Sequence, residues 1–329
     1  MTRLDAATEE WDLTADACDG PRELLLEPRE VPLGGVRAMA VHRSLPQRDL
    51  PTVGAWCFFD RFGPQEALMR VEPHPHIGLQ TVTWPLVGEV RHRDSIDSDV
   101  TISRGVLNIM TSGRGISHSE YSVGDDPIPL DALQLWIALP ESRRHGGPDF
   151  ERHADLPTLR LPAVEGADAD ATVVVGELGD VVSPATVYTP IVGAEVVLAP
   201  GSRVRIPFRR DWEYAIAGVE GDLVAHAGRT GEPTSLGALD LLYLGVSRDG
   251  IEVSTIGGAM FFLLGGEPFA DDLVMWWNFV GRDHDEIVEA REEWEAGSER
   301  FGHVVTHGDE RIPAPPMPQV RLTPRRRKV

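Results

Sequence analysis

The sequence has few cysteines, no long apolar run and a shortage of basic residues, and each shortage excludes a class of protein. Two cysteines among 329 residues, Cys18 and Cys57, are too few for a disulfide scaffold or a cysteine-rich zinc site. No stretch reaches the ~20 apolar residues of a membrane-spanning helix. The N-terminal residues are polar and acidic, without the apolar core of a secretory signal. We therefore expect a cytoplasmic protein that has no membrane partner.

Basic residues are outnumbered, since 31 lysines and arginines face 52 aspartates and glutamates, for a formal net charge of -21. A surface this acidic repels phosphate backbones, so we expect no direct binding of DNA or RNA. The exception is the basic run at residues 325–328, which follows a proline-rich stretch. Such a run is usually a solvated, mobile end, although a docking contact is the alternative. We expect it to be poorly packed.

The length and the hydrophobic fraction of 42% predict two domains with real cores. Short apolar segments recur about every ten residues between Gly, Pro and Asp, which is typical of a β-sandwich or barrel. One of them, AWCFF, buries the thiol of Cys57 and marks it as structural. The expected strands are 36–41, 54–59, 79–86, 106–110 and 133–139, then 171–175, 186–188, 195–198, 203–206, 213–217, 222–225, 241–244 and 259–264.

The chain therefore divides into an all-β pair of barrels with flanking segments. One helix is expected at 283–298, because Ile287, Ala290 and Trp294 are helically spaced and Asp283 can cap it together with Glu286. The predicted divisions are an acidic extension (1–30), a metal-binding barrel (31–145), a linker (146–170), a second barrel without metal plus the helix (171–302), and a proline-rich and basic tail (303–329).

Two short motifs carry the candidate chemistry. His74 and His76 alternate on a predicted strand, so their imidazoles share one face and can converge on one ion. His118 and Glu120 follow a glycine turn at residues 113–115 and share a face in the same way. We expect the two pairs to face each other across a barrel interior. Three nitrogens and a carboxylate would leave one or two open positions on a mononuclear metal.

Other residues near these motifs are weaker candidates. Arg114 lies four residues before His118 and either neutralises an anionic substrate or stabilises the turn. His92 is interpreted as a solvated strand residue rather than a support for the metal ligands. The tandem Trp276 and Trp277 are expected to pack in a core or between domains.

The sequence resembles the pirin family of the cupin superfamily. The resemblance lies in residues 59–64 (FDRFGP), 73–83 (PHPHIGLQTVT) and 110–120 (MTSGRGISHSE). It implies a bicupin of two jelly-roll barrels, with a divalent metal, usually iron, in the N-terminal one. Nitrogen and carboxylate ligands also suit Mn, Co, Ni, Cu or Zn. The ligands that the resemblance implies are His74, His76, His118 and Glu120.

One position departs from the family pattern. Residue 80 is Gln, where pirins commonly have Glu, so Glu120 is left as the carboxylate at the metal. Gln80 could still orient a bound water or a substrate through its amide. The second barrel has His226 in its strands but no His-x-His pair, and we interpret it as structural.

The resemblance implies two competing functions. The first is a quercetin 2,3-dioxygenase-like enzyme, in which the metal binds the 3-oxygen of a flavonol and Glu120 accepts its proton. The second is an iron-dependent, redox-responsive regulator that binds a transcription factor or a metabolic enzyme. The corresponding partners are a small aromatic substrate or another protein. We expect the chain to be a monomer.

Overall fold

The computed structural model describes residues 20–32, 40–227 and 232–328, and these are mostly β-strand with one α-helix. The strands of the first half are β1 (Pro21–Leu26), β2 (Arg29–Pro32), β3 (Ala40–Leu45), β4 (Trp56–Ala67), β5 (Arg70–His76), β6 (Leu79–Val87), β7 (Val90–Asp94), β8 (Asp99–Ile102), β9 (Leu107–Thr111), β10 (Ile116–Ser122), β11 (Ile128–Ala138) and β12 (Asp149–His153).

The strands that follow belong to the second half of the chain. They are β13 (Thr158–Leu161), β14 (Ala163–Glu165), β15 (Ala169–Leu178), β16 (Val181–Val182), β17 (Ile191–Leu198), β18 (Arg203–Pro207), β19 (Glu213–Gly221), β20 (Leu223–His226), β21 (Thr234–Leu236), β22 (Leu241–Gly245), β23 (Gly250–Ser254), β24 (Ala259–Gly266), β25 (Val274–Trp276) and β26 (Phe279–Gly281).

The first barrel is built from a large and a small antiparallel sheet. The seven-stranded sheet runs β12-β9-β6-β11-β4-β3-β2, and the four-stranded sheet runs β5-β10-β7-β8. Phe62 and Ala132 of the large sheet pack with Val90 and Ile102 of the small one in a single buried cluster. Apolar side chains from both sheets therefore close the barrel at one end.

The second barrel repeats this plan. Its large sheet has eight strands in the order β1-β22-β19-β24-β17-β15-β13, with β16 paired to β15, and its small sheet runs β14-β18-β23-β20-β21. Val204 and Ile251 of the small sheet are buried with Ile216 and Phe261 of the large one. The two-barrel, bicupin architecture expected from the sequence is confirmed.

The two large sheets also share a core with each other. Trp56 and Val82 of the first barrel belong to the same buried cluster as Val174 and Phe262 of the second. The indole of Trp56 donates to the backbone oxygen of Val192 at 2.9 Å. The central strands of each large sheet are thus buried on both faces, which explains why they read as continuous apolar runs.

The segments expected to flank the barrels are part of their sheets. Residues 21–26, which fall within the predicted extension, form β1 and pair with β22 of the second barrel. The predicted linker contributes β12 to the first barrel, and β13 and β14 to the second. Residues 186–188 form no strand and lie in an irregular segment between Pro184 and Pro190. Cys18 and most of the expected strand 36–41 lie outside the described residues.

The predicted helix is present and slightly shorter. Helix α1 spans His284–Glu295, and the carboxylate of Asp283 accepts the backbone N–H of Glu286, as expected of an N-cap. Gly297, with a φ of 67°, ends it, and a 3-10 helix (Glu299–Phe301) follows. Within the described residues, no helix combines the length and the apolar character needed to cross a membrane.

The expectation of a poorly packed tail was wrong, because the tail contacts both barrels. The backbone N–H of Ile312 donates to the oxygen of Pro73 at 2.8 Å, beside the first histidine pair. Near the end, Arg327 forms a bidentate ion pair with the fully buried carboxylate of Glu213. Within the proline-rich stretch, Ala314, Met317 and Leu322 pack on the apolar cluster that contains Trp294.

Candidate metal centre

The two ligand motifs lie on neighbouring strands, not across the barrel as expected. Strands β5 and β10 pair antiparallel, with His118 directly opposite His74 and Ile116 opposite His76. The register shifts between His118 and Glu120, so β5 carries one extra residue next to Pro73. Pro73 donates no hydrogen bond to the neighbouring strand, which suits it to a bulge. A β-bulge bends the strand and changes the direction in which nearby side chains point.

Three buried imidazoles come together at this point. His74, His76 and His118 each offer a ring nitrogen within 4.8 Å of the other two. The Nε2 atoms of His76 and His118 are 3.0 Å apart. Two ligands at right angles on one ion, each at about 2.1 Å, would be separated by ~3.0 Å. The donor set and its spacing therefore fit one mononuclear divalent metal.

The ring orientation of His74 and His76 is set through their other nitrogens. Nδ1 of His74 donates to the backbone oxygen of Glu72 at 2.9 Å. Nδ1 of His76 donates to the backbone oxygen of Asn278, in the β25–β26 turn, at 3.0 Å. A carbonyl only accepts, so the proton of each imidazole is on Nδ1. The lone pair on each Nε2 then faces the common point.

Burial keeps all three imidazoles neutral. Desolvation lowers the pKa of His74 to about 4. It also lowers the pKa values of His76 and His118 well below the ordinary value, and the neighbouring imidazoles add to the shift. Neutral imidazole is the form that binds a metal, so no proton competes with an ion here near neutral pH.

Glu120 is buried beside this cluster but is turned to one side of it. Its carboxylate groups with His92 and His118, rather than with all three of the predicted histidine ligands. Oε1 of Glu120 accepts from the hydroxyl of Thr83 at 2.8 Å. Burial raises the pKa of Glu120, against the lowering effects of His92 and Thr83. The structure thus brings three of the four predicted ligands together and places the fourth next to His118.

His92 was misread as a solvated strand residue. It is only 2% exposed, and its Nδ1 lies 3.2 Å from Nδ1 of His118. Its other nitrogen contacts the buried carboxylate of Asp94 at 3.1 Å. The alternation in VRHRD, with arginines between Val90, His92 and Asp94, was the signal that these three face the interior.

Gln80 lies on the opposite face of β6 from the site. Strand β6 pairs regularly with β11 from residue 79 to residue 84, so Gln80 and Thr83 point in opposite directions. The amide of Gln80 donates to the hydroxyl of Thr111 and to the backbone oxygen of Thr186 in the second half of the chain. The expectation that Gln80 orients a ligand at the metal is not compatible with this placement.

Arg114 and the tryptophan pair have structural surroundings. Arg114 is exposed, and its backbone oxygen accepts from Arg300. This backbone contact does not involve the Arg114 side chain, so the role of that side chain stays a prediction.

Trp276 and Trp277 are partly buried and pack on the cluster that contains Phe279. In the second barrel, His226 is half-buried and contacts the hydroxyl of Ser254 at 2.9 Å.

Comparison with known proteins agrees with this architecture. A profile of the family described as "Pirin" matches residues 38–137, and one described as "Pirin C-terminal cupin domain" matches residues 193–302. A "Pirin-like protein" of Caulobacter vibrioides is 33% identical, with 89% of this chain and 99% of that protein covered. The chain belongs to the pirin family.

Two relatives of this pirin-family chain have names that mention an activity. A "Putative quercetin 2,3-dioxygenase" of Pseudomonas aeruginosa is 38% identical over 318 residues, which cover 94% of this chain and 96% of that protein. A crystal structure of quercetin 2,3-dioxygenase from Acinetobacter baumannii has a TM-score of 0.82 at 36% identity, covering 91% of this chain and 97% of that one. The similarity extends over both barrels.

Proposed function

We propose that the chain binds one divalent metal ion through His74, His76, His118 and Glu120, and acts as a dioxygenase on flavonol-like substrates. The observation that carries the metal site is the convergence of three buried, neutral imidazoles whose outer nitrogens are already engaged. Ring orientation is then fixed before an ion arrives, which lowers the ordering cost of binding. The names of the relatives support the reaction class.

Iron is the metal we propose, on the strength of the family resemblance. Imidazole and carboxylate ligands bind Mn, Co, Ni, Cu and Zn as well, so the ligand set constrains the class of metal rather than its identity. Three nitrogens and one carboxylate leave room for a substrate oxygen and a second small ligand.

The bound ion would supply a Lewis acid for the 3-oxygen of a flavonol and a redox partner for dioxygen. Glu120 would accept the proton of the substrate's 3-hydroxyl, since it is the carboxylate beside the histidine cluster. The hydroxyl of Thr83 holds Oε1 and so fixes the direction of this carboxylate. Trp136 meets His76 edge to face at 5.2 Å and covers that side of the imidazole.

The C-terminal part of the chain would then act as a structural support. We propose that the metal lies in the barrel of residues 31–145 and that residues 171–302 hold it in place. The supporting contact is the backbone oxygen of Asn278, which receives the Nδ1 proton of His76. One equivalent of metal per chain is the expected content.

The decisive experiment is metal analysis of natively purified protein, coupled to oxygen uptake with a small flavonol panel. His76→Ala should lose nearly all metal and all turnover, while His226→Ala, in the second barrel, should keep both. Protein loaded with iron, manganese, nickel, cobalt, copper or zinc would be compared at equal occupancy. Full metal occupancy in His76→Ala would refute the ligand assignment. Absence of flavonol turnover in every fully loaded form would instead favour the regulatory role.

A further inference from the structure

His118 differs from the other two histidines in what receives its outer proton. His74 and His76 donate to backbone carbonyls, whereas Nδ1 of His118 faces Nδ1 of His92 at 3.2 Å. A carbonyl is a fixed, neutral acceptor. An imidazole is more basic and can itself be polarised through its second nitrogen.

The second nitrogen of His92 is engaged with a carboxylate. Nε2 of His92 lies 3.1 Å from Oδ2 of Asp94, whose side chain is fully buried. Oδ1 of Asp94 accepts the backbone N–H groups of Ile96 and Ser98 at 3.0 and 2.9 Å. With Nε2 of His92 on Oδ2 and two backbone donors on Oδ1, the carboxylate of Asp94 acts only as an acceptor and is fixed in a tight turn.

The ring of His92 is held on its face as well as at both nitrogens. Phe150 of β12 stacks on it, with ring centroids 4.8 Å apart and 22° between the planes. Asp94 accepts only, so the proton of His92 is on Nε2 and its Nδ1 is an acceptor. The proton between the two imidazoles then belongs to Nδ1 of His118, which leaves Nε2 of His118 for the ion.

A second ion on the outer side of His118 is the competing arrangement, because His92, His118 and Glu120 also lie within 4.8 Å of one another. That ion would need the Nδ1 lone pair of His118 while the first ion takes Nε2. His118 would have to lose both ring protons. A hydrogen bond from His118 to His92 requires no such deprotonation. It also gives each ring N–H of His118 and His92 an acceptor, since Nδ1–H of His118 donates to His92 and Nε2–H of His92 donates to Asp94.

We propose that His92 and Asp94 are positioning residues that orient His118 and strengthen its donation to the metal. The inference rests on the metal site proposed above. A carboxylate at the far end pulls the Nε2 proton of His92, which makes Nδ1 of His92 a better acceptor and His118 a more basic ligand. His118 would thus be electronically distinct from His74 and His76 on the same ion.

The test measures binding of Co²⁺ to metal-free protein by competition with a chelator, with the visible spectrum as a second readout. Asp94→Asn removes the anion, and His92→Leu removes the acceptor. Both should keep a stoichiometry of one at saturating Co²⁺ while affinity falls by roughly 10–100-fold. The visible bands of the bound Co²⁺ should shift in both variants, because a weaker ligand field results.

Two matched controls separate positioning from general damage. His92→Asn has nearly the shape of His92→Leu but keeps an acceptor near the Nδ1 position, so it should recover part of the affinity. Asp99→Asn removes the same charge on the neighbouring strand β8, where Asp99 is exposed and paired with Arg91. It should leave Co²⁺ affinity and the spectrum unchanged, and urea unfolding of the metal-free variants would report any loss of folding.

The outcomes are distinguishable. Wild-type affinity and spectrum in both Asp94→Asn and His92→Leu would overturn the inference and leave the metal site standing. A loss of stoichiometric Co²⁺ in His92→Leu, as large as that in His76→Ala, would overturn it too, since His92 would then be a ligand. Failure of the wild-type protein to bind Co²⁺ would refute the proposed metal site itself.

Discussion

The buried ion pair at the end of the tail gives the sharpest stability prediction. Glu213 is fully buried in the second barrel, and its carboxylate accepts from Tyr243 and from the backbone N–H of Gly54, both at 2.6 Å. The guanidinium of Arg327 donates to both carboxylate oxygens and brings a full positive charge to this buried group. Arg327→Ala would remove the ion pair from a carboxylate that stays buried.

The expected cost follows from that geometry. Removing one partner of a buried pair typically costs 3–5 kcal/mol. Two neutral donors remain on Glu213, so we expect the lower end, about 3 kcal/mol, or roughly a 100-fold change in the unfolding equilibrium. Removing the charge together with its partner, in Arg327→Leu with Glu213→Gln, should recover most of this loss.

Urea unfolding of metal-free protein, followed by tryptophan fluorescence, would measure these differences. Arg327→Lys is the matched control, because it keeps the charge but loses the two-pronged contact. It should fall between the wild type and Arg327→Ala. Deletion of residues 325–329 should cost at least as much as Arg327→Ala. The reasoning fails if Arg327→Ala unfolds within about 0.5 kcal/mol of the wild type, the range of ordinary surface substitutions.

Two further predictions concern single positions. Burial raises the pKa of the Cys57 thiol to about 12. In a Cys18→Ser background, a thiol reagent at pH 8 should therefore label Cys57 only in urea. Rapid labelling of the native protein would contradict the buried position of Cys57. Gly78 has a φ of +70°, and an added Cβ would lie 2.0 Å from the backbone oxygen of Val280. Gly78→Ala should therefore lower the free energy of unfolding, measured in urea, by at least ~2 kcal/mol. Gly124→Ala, with φ +90° and open space, is its control and should cost less; equal losses would mean that the Val280 contact is unimportant.

Much of the fold could be predicted from local pattern. Alternating and continuous apolar runs located the main strands, because a strand in a two-barrel protein buries one or both faces. The cap at Asp283 and the spacing of Ile287 and Trp294 located the helix. These features depend on residues that are neighbours along the chain, and so they are visible in a single sequence.

The predictions about the site that were wrong depend on which strands become neighbours in the sheets. That His74 lies opposite His118 within one sheet follows from the pairing of β5 with β10, which no local pattern specifies. The position of His92 beside His118 requires β7 on the other edge of β10. The direction of Gln80 could have been deduced by counting along β6, but only after Thr83 was known to face the site.

The tail was misread for a different reason. Composition describes how a segment behaves in water, not whether a complementary surface exists elsewhere. Arg327 is a poor candidate for burial until Glu213 is placed beside it, 114 residues earlier in the chain. Sequence reasoning could not supply that partner.

The bond between His76 and Asn278 has a consequence for how the molecule is made. The acceptor is translated 202 residues after the imidazole it orients. At synthesis rates of 5–20 residues per second, Asn278 would be synthesised roughly 10–40 s after His76. Ser117, next to His118, waits in the same way for the backbone oxygen of Phe301. In a ribosome-bound N-terminal half, His76 would lack the acceptor that orients its ring, so the proposed metal site would be completed only after residue 278 has been synthesised.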